Sequence, residues 1–426
     1  MNTLIIGGGA AGMAAAIAAA RSGQRVTVWE RGRKPLKKLG VTGNGRGNLL
    51  NDGAPEYYGD TAFALSVLAR MPWQSVAAFW QSVGVPLARE AEGRVYPASF
   101  LASTAVDALT LEARRLGVTL VSCTRALSLE ALPGGGFRAR GTRAVYAPDT
   151  PRKSGKTKPG QLLTEEPVQT EADRVIVAVG GAADPAHGTD GTAYGLLTAF
   201  GHTLVPPRPA LCALTTETSA LRGLSGQRVR AALTLADAQG RTLAQSRGEA
   251  LFAADGVSGI AAMQLARFAR PGCTLRLDLR EALTGDAGAD TAAWLNQRAR
   301  RVDGFRDLLV GAATPELSAA LWRICGTSPS LTPDALNALA RAIEAFCLPV
   351  TGTRGFAGAQ VTAGGVRPCE FDCQTLQSRL CPGLYAAGEV LDVDGGCGGF
   401  NLLFAVATGL LAGQSVIFAK ESRGGA

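Results

Sequence analysis

Three glycines near the N-terminus have the spacing of a motif that binds the phosphates of a nucleotide. Gly7, Gly9 and Gly12 follow a short apolar stretch and open an alanine-rich one, and Glu30 ends the next alternating stretch. In this motif the first glycine permits a tight turn, the second lets the backbone approach a pyrophosphate, and the third lets helix and strand pack closely. The helix N-terminus offers free N–H groups to the phosphates. Glu30 is expected to accept hydrogen bonds from both ribose hydroxyls of an adenosine, which disfavours NADP at this site.

Two later segments distinguish FAD from NAD. Residues 175–181 (VIVAVGG) have the form of the second crossing of FAD-dependent two-dinucleotide-binding folds. Residues 383–389 (GLYAAGE) have the form of the late strand beside the ribityl and pyrophosphate of FAD, with Glu389 where Asp is more usual. The three segments, in this order, predict FAD at a topological switch point. No second GxGxxG with its own β-α-β unit is present, so no dedicated nicotinamide domain is predicted.

Further residues are candidates for the reacting end of a flavin. Residues 395–399 (GGCGG) lead into an apolar helix, and their N–H groups are expected to stabilise the reduced pyrimidine ring. Arg46 and Asn48 follow the ribose-binding strand and are expected to reach the isoalloxazine rim; a flexible turn is the alternative interpretation. Arg354 is a candidate for holding an anionic or carbonyl substrate, or else a structural ion pair.

The chain has only two histidines. His187 lies in a glycine-rich loop and is a candidate acid or base. His202 follows a predicted helix and is expected to cap it or to be exposed. Neither lies near residues 40–51, where some flavoproteins attach FAD through histidine, so non-covalent FAD is predicted.

The cysteines do not form a metal site by their spacing. Cys369, Cys373 and Cys381 lack the paired CxxC or histidine ligands of a zinc site, so reduced thiols and no metal are predicted. Cys397 is the one thiol expected near the flavin, with a small buried residue as the alternative. Nine cysteines, an odd number spread over 426 residues, exclude a disulfide scaffold and fit a reducing compartment.

Composition limits the class of protein. With 46% hydrophobic and 18% charged residues the chain is not disordered overall, and its net charge of +8 decides little about partners. The apolar N-terminus lacks the basic region of a signal peptide. Residues 400–419 are long enough to span a bilayer, but they are expected to form a buried helix, with Gly409 and Gly413 packing on a sheet. A cytoplasmic location is predicted.

The elements that position these residues can be outlined from hydrophobic periodicity. Strands are predicted at residues 3–6, 25–29, 118–122, 173–179, 229–235, 274–279 and 383–387, and helices at 10–21, 60–83, 103–116 and from 400. Residues 134–136 are expected to form a hairpin turn, and 147–160 an exposed loop, with phosphate binding by Lys153, Lys156 and Lys158 as the alternative. The fold class predicted is α/β: a discontinuous Rossmann-like FAD domain at 1–205 and 350–426, with an inserted α+β domain at 206–349.

Beyond these motifs, the chain resembles the YhiN/BaiN-like family of bacterial flavoproteins over nearly its whole length. The matching stretches are residues 7–20, 41–51, 93–99, 175–181, 223–230, 248–266, 350–366 and 383–402, the last two being the most family-specific. The resemblance implies a split FAD domain interrupted by barrel-like strands plus helices, and an NAD(P)/FAD-dependent oxidoreductase. One family branch is linked to reduction of steroid-type conjugated enones.

The sequence departs from the family pattern at three places. Gly47 stands where the family usually has Cys, which excludes a thiol mechanism there. Cys397 stands where relatives carry Thr. The family's GSTGDGY loop is GTDGTAY at residues 188–194, preceded by His187.

The chain is therefore interpreted as an FAD-dependent oxidoreductase that passes hydride through flavin N5 to or from a small organic substrate. An enone is a candidate acceptor, and NAD(P)H a candidate transient reductant. The alternatives are a flavin-carrying RNA-modifying or RNA-binding protein, disfavoured because basic residues are scattered, and a non-catalytic redox sensor. Catalytic roles are assigned to Arg46, Arg354 and His187. Cofactor contacts are assigned to Gly7, Gly9, Ala11, Gly12, Glu30, Arg31, Lys38, Gly45, Arg46, Asn48, Ala178, Gly180, Gly181, Gly388, Glu389, Gly398, Gly399, Phe400 and Asn401.

Overall fold

A computed structural model describes residues 1–151, 157–326 and 328–415. The chain forms two compact units, one of Met1–Arg208 with the described residues from Val361 on, and one of Pro209–Gln360. From the sequence we predict these boundaries at 205/206 and 349/350, and in the structure they follow Arg208 and Gln360. The second boundary comes later because the strand Phe346–Thr353 belongs to a barrel of the second unit.

The first unit is built on a parallel sheet of five strands. Their order is Leu384–Ala386, Arg174–Val177, Asn2–Ile6, Arg25–Trp29 and Thr119–Val121. Ile6 lies between Trp29 and Val177, and Val177 lies beside Ala386, so four strands end together. The residues that follow them meet along one edge. Because the chain crosses from Asn2–Ile6 to neighbours on both sides, this edge is a switch point of the kind where α/β sheets bind ligands.

Two apolar helices of the first unit pack closely on each other. They are Ala10–Arg21 and Phe400–Ser415, both largely buried. A Cβ at Gly409 would lie 2.3 Å from Ala11 O, and one at Gly413 would lie 2.5 Å from Ala15 O. These glycines therefore permit helix-to-helix contact, and the expectation that they pack on a sheet is wrong. Residues 416–419 of the expected helix lie outside the described residues.

The remaining helices of the first unit are Thr61–Arg70, Trp73–Ser82, Ala102–Arg115 and the short Gly195–Thr198. The single helical pattern expected at 60–83 is two helices, because Pro72 lacks an N–H and caps the second.

Antiparallel strands complete the first unit. The side sheet contains Thr124–Ala131, Phe137–Tyr146 and Leu162–Ala172, and the expected turn at residues 134–136 joins its first two strands. Smaller antiparallel pairings join Leu50–Asn51, Arg94–Pro97 and Leu87–Arg89, and also Tyr57–Gly59 and Val393–Gly395. A separate two-stranded sheet pairs Leu204–Ala210 with Val361–Val366. Part of the loop expected at 147–160 is instead a short ladder of Thr150–Pro151 with Thr157–Lys158. Lys153 and Lys156 lie outside the described residues.

The second unit is a closed six-stranded barrel with helices. The barrel order is Leu214–Thr216, Gly256–Ser258, Thr242–Ala253, Arg228–Ala236, Thr274–Asp278 and Phe346–Thr353. Alternate residues of Arg228–Ala236, such as Val229 and Ala231, are buried, which is the period of a strand with one face in a core. The helices are Ile260–Leu265, Arg280–Thr284, Thr291–Ala299, Pro315–Ile324 and Pro333–Glu344. The predicted α/β class with an α+β insert is confirmed.

Across the described ranges, no helix combines the length and apolar character that a membrane crossing requires.

Candidate cofactor and active site

Two glycines of the first motif, Gly7 and Gly12, pack closely against backbone atoms, whereas the space beside Gly9 is open. A Cβ at Gly7, whose φ is +107°, would lie 2.3 Å from Ala178 O, and a Cβ at Gly12 would lie 1.9 Å from Gly7 O. No atom lies within 4 Å of a Cβ built on Gly9, which caps the helix Ala10–Arg21 in extended conformation. The backbone at Gly9 is thus bare at a helix N-terminus, where a pyrophosphate fits.

Glu30 is held beside this loop by backbone donors. The N–H of Gly8 donates to Glu30 Oε2 at 2.8 Å, and the N–H of Gly32 donates to Oε1 at 2.5 Å. Burial raises the pKa of Glu30, and these two hydrogen bonds act in the opposite direction. A carboxylate has about four lone-pair sites. Two therefore remain for the hydroxyls of a ribose.

A basic cavity of about 310 Å³ lies next to Glu30. Its lining includes Arg31, Gly32, Lys37, Cys123, Arg125, Tyr146, Pro185 and Gly188. Arg31 pairs with Asp190 at 2.8 Å. Burial alone would raise the pKa of Asp190, but hydrogen bonds from Thr192 and Arg31 hold it at about 2. Because Arg31 and Gly32 directly follow Glu30, the cavity suits the adenosine end of a dinucleotide.

The second and third motifs meet through Thr362, which sequence reasoning missed. Thr362 Oγ1 accepts hydrogen bonds from the N–H groups of Ala182 and Ala183, at 2.8 and 2.9 Å. The N–H of Thr362 donates to Glu389 Oε1 at 2.9 Å. A Cβ at Gly181 would lie 2.3 Å from Thr362 Oγ1, so Gly181 packs against it. The signal that could have found Thr362 is its position in the family-specific stretch 350–366.

Glu389 and Lys38 are bound to each other rather than left free. Lys38 Nζ lies 2.9 Å from Glu389 Oε2. Gly388 donates its N–H to Thr408 Oγ1 at 2.9 Å, and a Cβ there would lie 2.8 Å from that of Ala11. The ion pair of Lys38 with Glu389 thus joins the loop after the strand Arg25–Trp29 to the loop after the strand Leu384–Ala386.

The loop before the helix Phe400–Ser415 packs on Leu50 and Asn48. A Cβ at Gly399, whose φ is +104°, would lie 2.6 Å from Leu50 O and 2.7 Å from Asn48 Oδ1. Asn48 Oδ1 is buried and has no hydrogen-bond partner among the described residues. Asn51 Nδ2 donates to Gly398 O at 2.8 Å. A buried polar atom without a partner is rare in a folded protein. Asn48 Oδ1 is therefore an unpartnered acceptor enclosed beside this helix terminus, and its contact with a cofactor stays a prediction.

Phe400 and Asn401 support the same loop. Asn401 Oδ1 accepts from the N–H of Gly395 at 2.8 Å, and its Nδ2 donates to the carbonyls of Gly395 and Gly396. Tyr57 Oη donates to Phe400 O at 2.9 Å. These contacts show how the two residues position the loop; their contact with a cofactor stays a prediction.

Arg46 is clamped between a carboxylate and two aromatic rings. Its Nη2 lies 2.6 Å from Glu90 Oε1, and its Cζ lies 4.5 and 4.7 Å from the ring centroids of Tyr96 and Phe100. The hydrogen bond that Arg46 donates to Glu90 is the largest cause of the raised pKa of Arg46. The segment around Arg46 is thus not merely a flexible turn.

The glycine at position 47 is imposed by the fold. Gly47 has φ of +77°, and its Cβ would lie 2.9 Å from Ala102 Cα. Gly45 also has positive φ, +83°, but nothing lies within 4 Å of its Cβ. Ala102 therefore leaves no room for the side chain of a cysteine at position 47.

The other two residues given catalytic roles do not belong to this loop. His187 Nδ1 lies 2.7 Å from Asp184 Oδ2, and neighbours of His187 line the cavity next to Glu30. Arg354 belongs to the second unit, where its Nε and Nη2 lie 3.0 and 2.5 Å from the carboxylate oxygens of Asp255. Their catalytic roles stay predictions.

The expectation for His202 is wrong, because the side chain is fully buried. Its Nδ1 lies 3.0 Å from Glu370 Oε2, and its Nε2 lies 2.9 Å from Ser378 Oγ. The imidazole stacks on Phe371 with ring centroids 4.3 Å apart. Two polar partners satisfy both ring nitrogens, which allows burial that the sequence position alone did not indicate.

Known proteins resemble this chain in fold and in sequence. A 3-ketosteroid delta1-dehydrogenase from Sterolibacterium denitrificans has a similar fold, with a TM-score of 0.50 at 14% identity over 98% of this chain and 99% of that one. A 3-dehydro-bile acid delta(4,6)-reductase of Clostridium scindens is 34% identical over 97% of this chain and 99% of its own length. A ribosomal RNA dihydrouridine synthase of Escherichia coli is 26% identical over 99% of each. The family described as HI0933-like protein Rossmann domain matches residues 1–415, which confirms the resemblance to YhiN/BaiN-like proteins, and the chain belongs to this family.

Proposed function

We propose that this protein is an FAD-dependent reductase that adds two hydrogens across a carbon–carbon double bond conjugated to a carbonyl group. The observation that carries the proposal is the bare backbone at Gly9 and the carboxylate of Glu30 at the switch-point edge, together with the helix terminus at Gly399. They match, in order, a pyrophosphate, a ribose and the polar edge of a flavin. FAD, when bound, supplies the hydride.

The chain's own residues bind and orient the cofactor. Glu30 holds the ribose end, and the helix Ala10–Arg21 directs its N-terminus at the phosphates. The N-terminus of Phe400–Ser415, with Gly398 and Gly399 at positive φ, presents backbone N–H groups that stabilise negative charge on the reduced ring. Non-covalent binding follows from the positions of both histidines outside residues 40–51.

The substrate class follows from the relatives. A 3-dehydro-bile acid delta(4,6)-reductase acts on double bonds conjugated to a ring ketone, and the Clostridium scindens protein of that name is 34% identical over nearly the whole chain. We place the substrate of this chain in the same chemical class, a small apolar enone. NAD(P)H acting transiently is the reductant of this proposal. The nine cysteines are all free thiols, which supports a cytoplasmic setting.

A second candidate substrate is a uridine in RNA, because two relatives named ribosomal RNA dihydrouridine synthase span nearly the whole chain. The C5=C6 bond of uracil is itself conjugated to a carbonyl, so the same reduction applies. This chain offers less for RNA, since many of its arginines are paired with carboxylates, as Arg228 is with Glu249 and Arg247 with Glu281.

Anaerobic titration tests both candidates. The purified protein is titrated with NADH and with NADPH, and bleaching of the flavin absorbance identifies the donor. The reduced protein is then mixed with a panel of enones, including a 3-oxo-Δ4 steroid, and with a uridine-containing ribosomal RNA fragment. Rapid reoxidation by an enone supports the proposal. Reoxidation by the RNA alone assigns the second function, and reoxidation by neither overturns both.

A further inference from the structure

Tyr96 has a buried ring and a hydroxyl without a protein partner. The residue lies on the strand Arg94–Pro97 and is 6% exposed. No hydrogen bond joins its hydroxyl to another described residue. It is not among the fully enclosed unpartnered atoms, which include the hydroxyl of Tyr194. The Tyr96 hydroxyl oxygen is therefore reached by solvent, although the ring is buried, and it is free to meet a ligand.

Two cations lie beside the Tyr96 ring. The Arg46 guanidinium lies 4.5 Å from the ring centroid, and Glu90 fixes it there. Arg94 is two residues earlier on the same strand and therefore on the same face. Burial raises the pKa of Tyr96, while Arg94 and Arg46 lower it and Glu90 and Cys397 raise it further. The hydroxyl thus keeps its proton at neutral pH, and both guanidinium groups stabilise the tyrosinate left after a proton is given away.

The strand places Tyr96 at the loop proposed to hold the flavin ring. Val95 pairs with Leu50, and the N–H of Leu49 donates to Val95 O at 2.8 Å. Leu50 O is also the atom on which Gly399 packs. A Cβ at Gly43 would lie 3.7 Å from the Tyr96 ring. Tyr96 therefore shares one wall with Asn48 and Gly399, whereas the neighbours of His187 line the cavity beside Glu30.

We propose that Tyr96 is the proton donor for the carbon–carbon double bond that this protein reduces. The inference rests on the proposed function and names a residue for it. FAD, bound and reduced, would supply the hydride, with its two electrons, that the β-carbon of the enone receives. The Tyr96 hydroxyl supplies a proton to the α-carbon, where the electron pair of the double bond forms the new C–H bond. Tyr96 is left as tyrosinate and regains its proton from water.

Cys397 is the competing donor in the same place. Burial raises the pKa of its thiol, Arg94 lowers it, and Glu56 and Glu92 raise it further, so the thiol also carries a proton. Tyr96 is favoured because two cations, Arg46 and Arg94, lie beside it, whereas Cys397 has one, Arg94.

The test separates the two half-reactions in Tyr96→Phe, with Tyr385→Phe as the matched control. Tyr385 also has a buried ring, but its hydroxyl has a partner, because it donates to Gln377 Oε1 at 2.9 Å. We expect flavin reduction by the donor to be unchanged in Tyr96→Phe, and reoxidation by the enone to slow on the order of 10²–10³-fold, the usual contribution of a general acid. Tyr385→Phe should reoxidise like the wild type.

A second readout uses the cofactor-free protein. Absorbance titration of tyrosinate should show one tyrosine fewer in Tyr96→Phe, and the missing component should titrate above the ordinary value of about 10. Identical titrations of the two proteins would show that solvent protons do not reach Tyr96 and would overturn the proposal.

The outcomes also distinguish this inference from the proposed function. Reoxidation of Tyr96→Phe by the enone at the wild-type rate overturns the inference and leaves the proposed function standing. If Cys397→Ser is then reoxidised slowly, Cys397 is the proton donor instead. Failure of the reduced wild-type protein to react with any enone overturns the proposed function and the inference with it.

Discussion

At the scale of single residues, the carboxylate of Glu30 is the group proposed to bind the ribose of FAD. Glu30→Ala removes charge-assisted hydrogen bonds of about 1.5–3 kcal/mol each, partly replaced by water, so FAD binding should weaken by roughly 2–4 kcal/mol. Equilibrium dialysis with FAD measures the change. Glu171→Ala is the control, because Glu171 pairs with Arg138 in the side sheet. Full flavin occupancy of Glu30→Ala after extensive dialysis would show that Glu30 does not hold the ribose.

Position 47 offers a second test at this scale. Gly47→Cys and Gly45→Cys both place a side chain at positive φ, which costs about 1–2 kcal/mol each. Only Gly47→Cys also meets Ala102 Cα, at 2.9 Å. The free energy of unfolding should therefore fall further in Gly47→Cys, by an additional ~1–3 kcal/mol of overpacking. Denaturant unfolding of the cofactor-free proteins measures both, and equal losses would contradict the packing argument.

At the scale of elements, the close contact of two helices depends on glycine. Gly409→Ala places a methyl group 2.3 Å from Ala11 O, so the helices Ala10–Arg21 and Phe400–Ser415 must separate. We expect a loss of about 1–3 kcal/mol in the free energy of unfolding and weaker FAD binding, because Ala10–Arg21 carries the nucleotide loop. Gly134→Ala is the control, since nothing lies within 4 Å of its Cβ. Equal stability of the two variants would refute close helix contact.

His202, which follows the helix Gly195–Thr198, binds that segment to Glu370 and Ser378. Ser378 Oγ accepts from the N–H groups of Leu380 and Cys381, so its own proton is donated to His202 Nε2, and Nδ1–H is donated to Glu370. Burial lowers the pKa of His202, so the unfolded chain takes up a proton below about 6.5 while the folded protein does not. Stability should therefore fall as pH drops from about 7 to about 5.5. Burial would raise the pKa of Glu370, but hydrogen bonds from Thr203 and His202 hold it low, so its contribution is lost only at more acid pH.

Thermal unfolding across this pH range measures the His202 contribution. His202→Gln should flatten the profile, and His187→Gln should retain the wild-type slope because His202 remains intact. A wild-type slope in His202→Gln would contradict the assignment.

Local sequence patterns predicted the elements that short-range chemistry determines. The strand Arg25–Trp29 and the helix Ala10–Arg21 were predicted to the residue, because hydrophobic period and glycine spacing act within a few positions. The environments of Thr362 and His202 were not predictable in this way. Their partners Ala183 and Glu370 are 179 and 168 residues distant in sequence, and no local pattern records such contacts.

At the scale of the whole molecule, every residue predicted to bind FAD belongs to the first unit, whereas Arg354 belongs to the second. Hydrogen exchange can therefore separate the two roles. FAD should protect amides of Ala10–Arg21 and leave the barrel strands Arg228–Ala236 and Thr242–Ala253 unchanged. FAD at 100 times its dissociation constant stabilises the unit that binds it by about 2.7 kcal/mol, which is large enough to slow exchange markedly.

A substrate should act on the second unit as well, if Arg354 holds it. Adding an enone to the oxidised, FAD-loaded protein allows binding without reduction. Arg354 and Asp255 are each nearly half exposed, so their ion pair is screened by water and can open to a carbonyl ligand. We expect new protection in peptides that contain Thr353 and Arg354, and its loss in Arg354→Ala with FAD protection of Ala10–Arg21 unchanged. Arg341→Ala, in the same unit, is the control. Protection by the enone that persists in Arg354→Ala would leave Arg354 with its ion pair to Asp255 as its only role.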